Sequence, residues 1–540
     1  MAIPKTMEAP FTHLFLNLTV MTLGQILVIP VALLVVYICI RIGSIRRQFR
    51  DLPKPPHHAF LGHFPILLRE LRTLPRDIFA PLVVDLVRRK FDLPAVFFLD
   101  LYPLFNPIVF ISDPGLARKI TQEDRSLRYP GVFETLYPAI PTRWFRTVAD
   151  RAWTKWHPVV GVSFTAAHFV RMVPQMAEDL RAMLDQLNDW SDRDEIFCME
   201  RVATDAILAM TGRAYFGMEL DCFAPKSQWT SAFRAATTPV VAARNPLRKP
   251  FVLPSWKRHA RTFHAVIREK VQHTFDKDEN HEAGVPSLLA SSFAVYRKNG
   301  FPEFPRVSQE ALSTEYLEEL TSTGAAFLIG ATSGASVISY AFLLLHQHPN
   351  ILDDLRREHG QVCGFNRQSI LLALQSRPRL LNDLKLTHAV LKETLRLFPM
   401  GPVLRKCPSE TMEYEGRTYD IRNHIVAISH NSLHRRPDLF PNPDAFNPYR
   451  FLPGAAIPIP ADAWRPFEKG NGYCVGQELA MIQMKVMLLL TLTEFDFQPK
   501  YAREAARGPD IYGGYAYTTG SGIGPTPAGG LPMRVDKRMK

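Results

Sequence analysis

A lone cysteine in a glycine-rich loop, followed at once by an apolar helical run, constrains this chain more than any other stretch. Phe467-Glu-Lys-Gly470-Asn-Gly-Tyr-Cys474-Val-Gly476-Gln-Glu-Leu-Ala480 leads directly into Met481–Leu490. Such a loop presents one thiolate to a metal. Its glycines let the backbone pass close to a flat ligand without Cβ clashes. The helix that follows aims its N-terminal N–H groups and positive dipole end at the sulfur, which favours the anion. A buried free cysteine ahead of a core helix has the same local pattern, so the rest of the chain decides between the two.

The N-terminus reads as a membrane anchor. No Asp, Glu, Lys or Arg occurs between Glu8 and Arg41, and Val20–Ile40 is mostly apolar. About 20 such residues cross a bilayer as a helix, and the kink expected at Pro30 is one that membrane helices tolerate. Arg41, Arg46, Arg47 and Arg50 follow, which predicts that the bulk of the chain is cytosolic. A cleaved signal peptide is the alternative; the run is long, the basic cluster comes after it, and no Ala-x-Ala-like site is evident. The predicted division is a short lumenal N-terminus (1–13), a transmembrane anchor (14–40), a basic and Pro-rich linker (41–65, with Leu52-Pro-Lys-Pro-Pro56) and one large domain (66–540).

A length of 540 residues suggests two to four ordinary domains, but no domain-scale linker interrupts the sequence. Helical patterns dominate beyond about residue 110. Strand-like runs occur at Ala95–Leu101, Ile108–Ser112, Glu413–Tyr419 (with Gly416 as the turn) and Ile425–Ser429. The expected class is mainly α with small β-sheets. The formal charge of +12 reads as scattered surface Lys and Arg; without zinc-finger spacing or a basic-aromatic repeat, nucleic acid is not a predicted partner. Six dispersed cysteines, with no CxxC pair, do not form a disulfide framework and fit a reducing compartment.

Three further motifs accompany the cysteine loop. Glu393-Thr-Leu-Arg396 places opposite charges at i, i+3 among Leu391, Leu395 and Phe398; a semi-buried pair needs a third partner, and Arg450 in Pro448-Tyr-Arg-Phe451 is the candidate. Gly330-Ala331-Thr332-Ser333-Gly334 lies in mid-helix within Tyr316–His346, where small residues cost helix propensity and serve either close ligand approach or a tight helix crossing. Trp153 and His157 share a helical face at i, i+4 behind a candidate cap, Asp150.

In order and spacing these motifs resemble the cytochrome P450 family over roughly residues 52–535, most like microsomal, fungal members of secondary metabolism. The resemblance implies a cytochrome P450 fold of one large domain behind a transmembrane helix. It implies haem b with Cys474 as iron ligand and Phe467, Gly470 and Gly476 shaping the loop. Trp153, His157 and Arg405 would meet the propionates, with Lys406 the second choice to Arg405. Ser333 and Thr332 fall at the oxygen-activation positions, and Glu393, Arg396 and Arg450 form a structural network. The implied activity is a membrane-anchored monooxygenase of the endoplasmic reticulum, fed by NADPH through a cytochrome P450 reductase. Tyr129, Phe133, Leu136, Tyr137, Trp144 and Phe145 suggest a hydrophobic small-molecule substrate, or else ordinary core. Four positions depart from the family: Thr332 replaces the acid, His157 an arginine, Gly472 a cationic residue two before the cysteine, and Tyr449 a glutamate. These departures keep two alternatives open, a haem-thiolate isomerase or dehydratase that needs no oxygen activation, and a non-catalytic haem protein.

Overall fold

The computed structural model describes residues 11–124, 126–129, 131, 136–141, 163–245, 247–277, 285–299, 312–470, 472–501, 518–520 and 524–538. Helices form the bulk, and the described residues contain four small sheets. The largest runs β1 (Val96–Leu99), β2 (Ile108–Ile111), β8 (Ile425–Ile428), β5 (Val403–Lys406), β3 (Leu127–Arg128). Its β2–β8 pair is parallel and the other pairs are antiparallel. β6 (Thr411–Tyr414) and β7 (Arg417–Asp420) make a hairpin, with Gly416 at φ +73° supplying the left-handed turn position. The expected strands are all present. Two minor sheets complete the set: β4 (Phe197–Cys198), β12 (Pro532–Lys537) and β9 (Phe495–Pro499), and the pair β10 (Thr518–Thr519) with β11 (Thr526–Pro527).

The central helix Thr314–Gln347 starts at Ser313, whose hydroxyl accepts from the Tyr316 N–H at 3.2 Å. Its length and composition would let it cross a membrane, but 78% of its apolar window is buried inside the protein, so it is the core helix of the fold. Helix Met199–Phe216 lies along it and is closed by Gly217 at φ +78°. Gly324 permits that approach: a Cβ there would sit 2.9 Å from the Tyr215 ring and 3.0 Å from Ile267. Tyr215 then donates to the Leu320 carbonyl at 2.6 Å. Helix Gln477–Glu494, directly after the cysteine loop, is buried along nearly its whole length, as an all-round apolar helix must be.

The N-terminal helix runs from Phe11 to Gln48, through Pro30 and past the anchor boundary expected at residue 40. Val31, Leu33, Leu34, Val35, Val36, Tyr37 and Ile40 are each more than half exposed. Of the basic residues beyond them, Arg41, Arg47 and Arg50 are exposed and Arg46 is buried. Arg46 pairs with the fully buried Asp100 and donates to the Phe60 and Tyr102 carbonyls at 3.0 and 2.8 Å. His57 reaches the same carboxylate at 2.9 Å. Phe49, with no exposed surface, packs against His57, His63, His424 and Phe98. The end of the helix is therefore bolted to the first sheet, and the chain from Phe49 to His63 is non-helical.

Two outcomes follow from this joint. Removing residues 1–40 should leave the melting temperature of the globular part unchanged, whereas removing 1–51 should lower it by several degrees, because a buried phenylalanine and the partner of a buried carboxylate are lost. The joint is also acid-sensitive. Burial and the His57 charge hold His63 down at about 4, against Asp100, and burial holds His424 at about 4, against Asp420 and Asp100. His63 Nδ1 accepts from the Asp100 N–H at 2.7 Å, so the folded state needs the neutral ring. A folded pKa below the unfolded value means stability is complete above about pH 6.5 and falls towards pH 4. Melting followed from pH 7 to 5 should show that decline, with a shallower slope in His63→Gln.

Candidate active site

The cysteine loop is held by its own backbone first. The Cys474 N–H donates to the Phe467 carbonyl at 2.9 Å and the Tyr473 N–H to Gly470 at 3.2 Å. Gly470 has φ +70°, and a Cβ there would lie 2.1 Å from the Thr121 carbonyl oxygen. A side chain there is excluded by the turn Lys119–Glu123, which presses on the loop from outside. Gly476, at φ −84°, is the N-cap of helix Gln477–Glu494, so Cys474 stands just ahead of a helix N-terminus. None of the six cysteines is in a disulfide. A Cβ on Gly476 would be 3.9 Å from Cys474 Sγ and equally 3.9 Å from Phe327 of the central helix, so the central helix faces the thiol. Phe467 packs edge-on against Trp464, whose indole donates to the Lys392 carbonyl at 3.0 Å.

Across from the sulfur the central helix opens. It is mostly buried above and below, yet Gly330 is exposed and Phe327, Ala331, Thr332 and Ser333 are half-buried. A Cβ on Gly330 would meet nothing within 4 Å, while one on Gly334 would touch Ile207 at 3.5 Å. Of the two readings of these small residues, space for a ligand fits Gly330 and helix packing fits Gly334 and Gly324. The Thr332 hydroxyl donates back to the Ile329 carbonyl at 2.7 Å. Its proton is engaged within the helix, and a threonine has no acid function near neutral pH.

Cations gather at the rim of the loop. Strand alternation turns Arg405 inward, fully buried, and leaves Lys406 exposed. Arg405 Nη1 comes to 3.0 Å from the position a Gly472 Cβ would take. Burial lowers its guanidinium to about 10; Glu468 opposes that shift, and Arg128 and Arg465 add to it. Arg465, also buried, donates to Glu468 at 2.8 Å and to the Thr121 hydroxyl at 2.6 Å. Burial alone would raise the Glu468 carboxyl; a hydrogen bond from His430 and the charges of His430, Arg465 and Arg405 hold it at about 2. Glu468 faces Arg128, Arg405 and Arg465 together. Asp462, 3.6 Å from Arg465, is claimed at 2.8 Å by Lys469. Arg405 and Arg465 are thus buried around one carboxylate, Glu468, at the rim.

The residues present fit haem. A thiol at a helix N-terminus, an open small-residue face opposite it and buried guanidiniums at the rim match an iron ligand, two apolar faces and an anionic edge. Trp153, His157, Asp150, Phe133, Trp144 and Phe145 lie outside the described residues. Of the other residues read as substrate-facing, Tyr129 donates its N–H to Leu404, Leu136 packs on the core and Tyr137 is exposed.

Behind the loop, the structure brings Glu393, Arg396 and Arg450 together. Arg396 Nε and Nη2 reach Glu393 at 2.7 and 2.8 Å, and Arg450 Nε reaches it at 3.2 Å. Arg396 also donates to the carbonyls of His434, Pro443 and Ala445 at 2.8, 2.6 and 3.1 Å. Tyr449 points away and donates to Asp354 at 2.7 Å on the surface. Sequence reasoning missed two contributors. Arg128 lies against the cysteine loop, and Glu468 is the carboxylate that the rim guanidiniums face. The second was legible as an acid beside Phe467; the first has no local signal.

Comparison with known proteins agrees with this geometry. The family profile described as Cytochrome P450 matches residues 90–507. The chain is 94% identical over 204 residues to cytochrome P450 monooxygenase PC-23 of Penicillium crustosum, spanning 37% of this chain and all of that protein. It is 30% identical over 519 residues to cytochrome P450 monooxygenase ptmJ of Penicillium ochrochloron, covering 95% of this chain and 97% of that one. A crystal structure of the P450DA haem domain superposes with TM-score 0.70 at 19% identity, over 90% of this chain and 98% of that one, a likeness of fold.

Arg396→Leu should cost about 3–5 kcal/mol, because it leaves the Glu393 charge buried with its main partner gone. Tyr449→Phe, which removes one exposed hydrogen bond, should change stability by less than about 0.5 kcal/mol. Unfolding of the haem-loaded protein in denaturant checks both.

Proposed function

The chain belongs to the cytochrome P450 family, and from that premise we propose that it is the membrane-anchored monooxygenase of a fungal secondary-metabolite pathway, oxidising a hydrophobic small molecule. The enzyme class is that of its relatives, which are named monooxygenases. Neither an isomerase or dehydratase nor a non-catalytic haem protein finds support among them. The observation that carries the reading is the Cys474 thiol at a helix N-terminus facing the open stretch of the central helix at Gly330. Bound through Cys474, haem would supply oxygen activation and the redox chemistry.

This chain's own residues do the rest. Arg405 would hold a propionate, and Trp153 and His157 are proposed to do the same. Phe467, Gly470 and Gly476 fix the loop that aims the sulfur. Ser333 is the hydroxyl we assign to proton handling on the open face. Thr332, tied to Ile329, positions and does not donate. The half-buried apolar surface of Phe327 and Ala331 suits a hydrophobic substrate. Electrons would come from NADPH through a cytochrome P450 reductase docking on the cysteine side, where Lys392 and Lys469 lie. The exposed apolar helix would anchor the protein in the endoplasmic reticulum as a single span, with 1–13 lumenal, 14–40 in the bilayer, 41–65 joining and 66–540 the cytosolic haem-thiolate domain.

Reduced membranes treated with carbon monoxide should show the red-shifted Soret band of a thiolate-ligated haem, and Cys474→His should abolish it. A wild-type protein without that band would sink the reading. With substrate supplied, NADPH consumption and product should both need oxygen. Ser333→Ala should lower product formed per NADPH several-fold, and Thr332→Val should change it less than twofold.

A further inference from the structure

One residue of the cysteine loop occupies a backbone region that its type avoids. Glu468 has φ +59°, left-handed like Gly470 at +70° and Gly472 at +80°, but without being a glycine. A residue with a Cβ enters that region at a cost that glycine escapes, and such strain persists only where the surroundings over-determine it. Here they do. The Glu468 N–H donates to the Arg465 carbonyl at 2.9 Å and closes the turn Arg465-Pro-Phe-Glu468. The side chains close the same turn again, with Arg465 Nε donating to Glu468 Oε1 at 2.8 Å. The Lys469 N–H donates to that oxygen at 3.1 Å, and His430 Nε2 stands 3.4 Å from the other. Glu468, Arg465 and His430 are all buried. Arg465 goes on to the Thr121 hydroxyl at 2.6 Å, and its N–H donates to His434 Nε2 at 3.1 Å. One carboxylate thus joins the turn to helix His430–Leu433 and, through Arg465, to the turn Lys119–Glu123.

Phe467 lies inside that turn, and its carbonyl accepts the Cys474 N–H at 2.9 Å. We propose that Glu468 is a positioning residue for Cys474: its buried carboxylate, gripped by Arg465 and faced by His430, locks the turn that fixes the Phe467 carbonyl, and through that carbonyl the cysteine. The assignment rests on the reading that Cys474 ligates haem. Backbone shape alone does not call for a glutamate, because glycine takes the left-handed region without strain. The donors around the position do call for one. Arg465 and the Lys469 N–H can only donate, and a carboxylate offers acceptors alone, whereas an amide of the same shape turns an NH2 towards one of them. Against burial, His430, Arg465 and Arg405 hold the carboxyl at about 2, and Arg128 faces it as well, so the grip is that of an anion and its hydrogen bonds are charge-assisted. Loosening the turn would release the Phe467 carbonyl from the Cys474 N–H. A cysteine no longer held ahead of its helix N-terminus keeps its thiolate less well.

The test uses the full-length, haem-loaded protein. Its reduced carbon monoxide complex is followed as the red-shifted thiolate band gives way to the shorter-wavelength band of a haem without thiolate. Each variant is held at the same interval below its own melting temperature, so that general loss of stability is taken out. Glu468→Gln should lose the thiolate band roughly tenfold faster than wild type, the scale of one charge-assisted hydrogen bond. Glu468→Gly relieves the backbone strain but removes the carboxylate, and it should lose the band at least as fast as the Gln variant. A Gly variant whose band lasts as long as that of wild type would mean that only the backbone shape matters, and overturns the assignment. A Gln variant with a lowered melting temperature but an unchanged band lifetime overturns it too. If neither variant loads haem, His430→Leu decides. It leaves Arg465 on the carboxylate and should shorten the lifetime of the band several-fold; a lifetime equal to that of wild type overturns the proposal. A wild type that never shows the thiolate band removes the haem reading itself, an outcome distinct from all of these.

Discussion

The carboxylate of Glu393 accepts from Arg396, from Arg450 and from the Asn447 N–H while fully removed from water. The segment it organises, from His434 to Arg450, includes irregular stretches whose carbonyls have no helix or strand ladder to use. Buried carbonyls without partners are costly, and Arg396 supplies three of them while spending its remaining donors on Glu393. A lysine has neither the five donors nor the planar fork to do this. Helix Lys385–Leu397 and the chain leading to the cysteine loop are thereby held in one register. The position of Cys474 rests on that register, because the loop begins only 17 residues after Arg450.

Much of this was legible in the sequence, and the reason is locality. The Gly416 hairpin, the helix through Gly330, the i, i+3 pair at Glu393 and the loop before helix Gln477–Glu494 each declare themselves within a window of a few residues. Contacts between distant segments were not legible. Gly470 looks like a glycine that makes room for a ligand, and the carbonyl of Thr121, far away in sequence, also takes the space its Cβ would fill. Arg46 looks like one of several charges that keep a domain cytosolic, yet it is spent on Asp100. Arg128 has no motif around it at all. In each case the partner lies tens to hundreds of residues away, and neither periodicity nor spacing carries that information.

The central helix shows how one run of small residues serves two ends. Gly324 and Gly334 face helix Met199–Phe216, where close packing needs them or tolerates them, and Gly330 faces open space. Their cost in helix propensity is of order 1 kcal/mol each, offset in the first two cases by tight packing. Gly330 has no such contact among the described residues, which suits a ligand in the space beside it. Thr332 on the same stretch bonds to its own helix at Ile329, which leaves Ser333 as the hydroxyl of the pair available to that space.

The net charge of +12 read as scattered surface lysines and arginines, but Arg396, Arg405, Arg435 and Arg465 are among the largest fully buried side chains. They divide into two kinds. Arg396 is matched inside the protein by Glu393 and by carbonyls. Arg405 and Arg465, with Arg128, face Glu468, whose carboxyl His430, Arg465 and Arg405 hold at about 2 against burial. Like charges gathered out of water oppose folding. A fold that gathers cations ahead of their counter-ion gains stability when an anion binds the folded state alone. On the reading that haem binds through Cys474, an anionic edge brought to that rim would add to the stability of the cysteine loop.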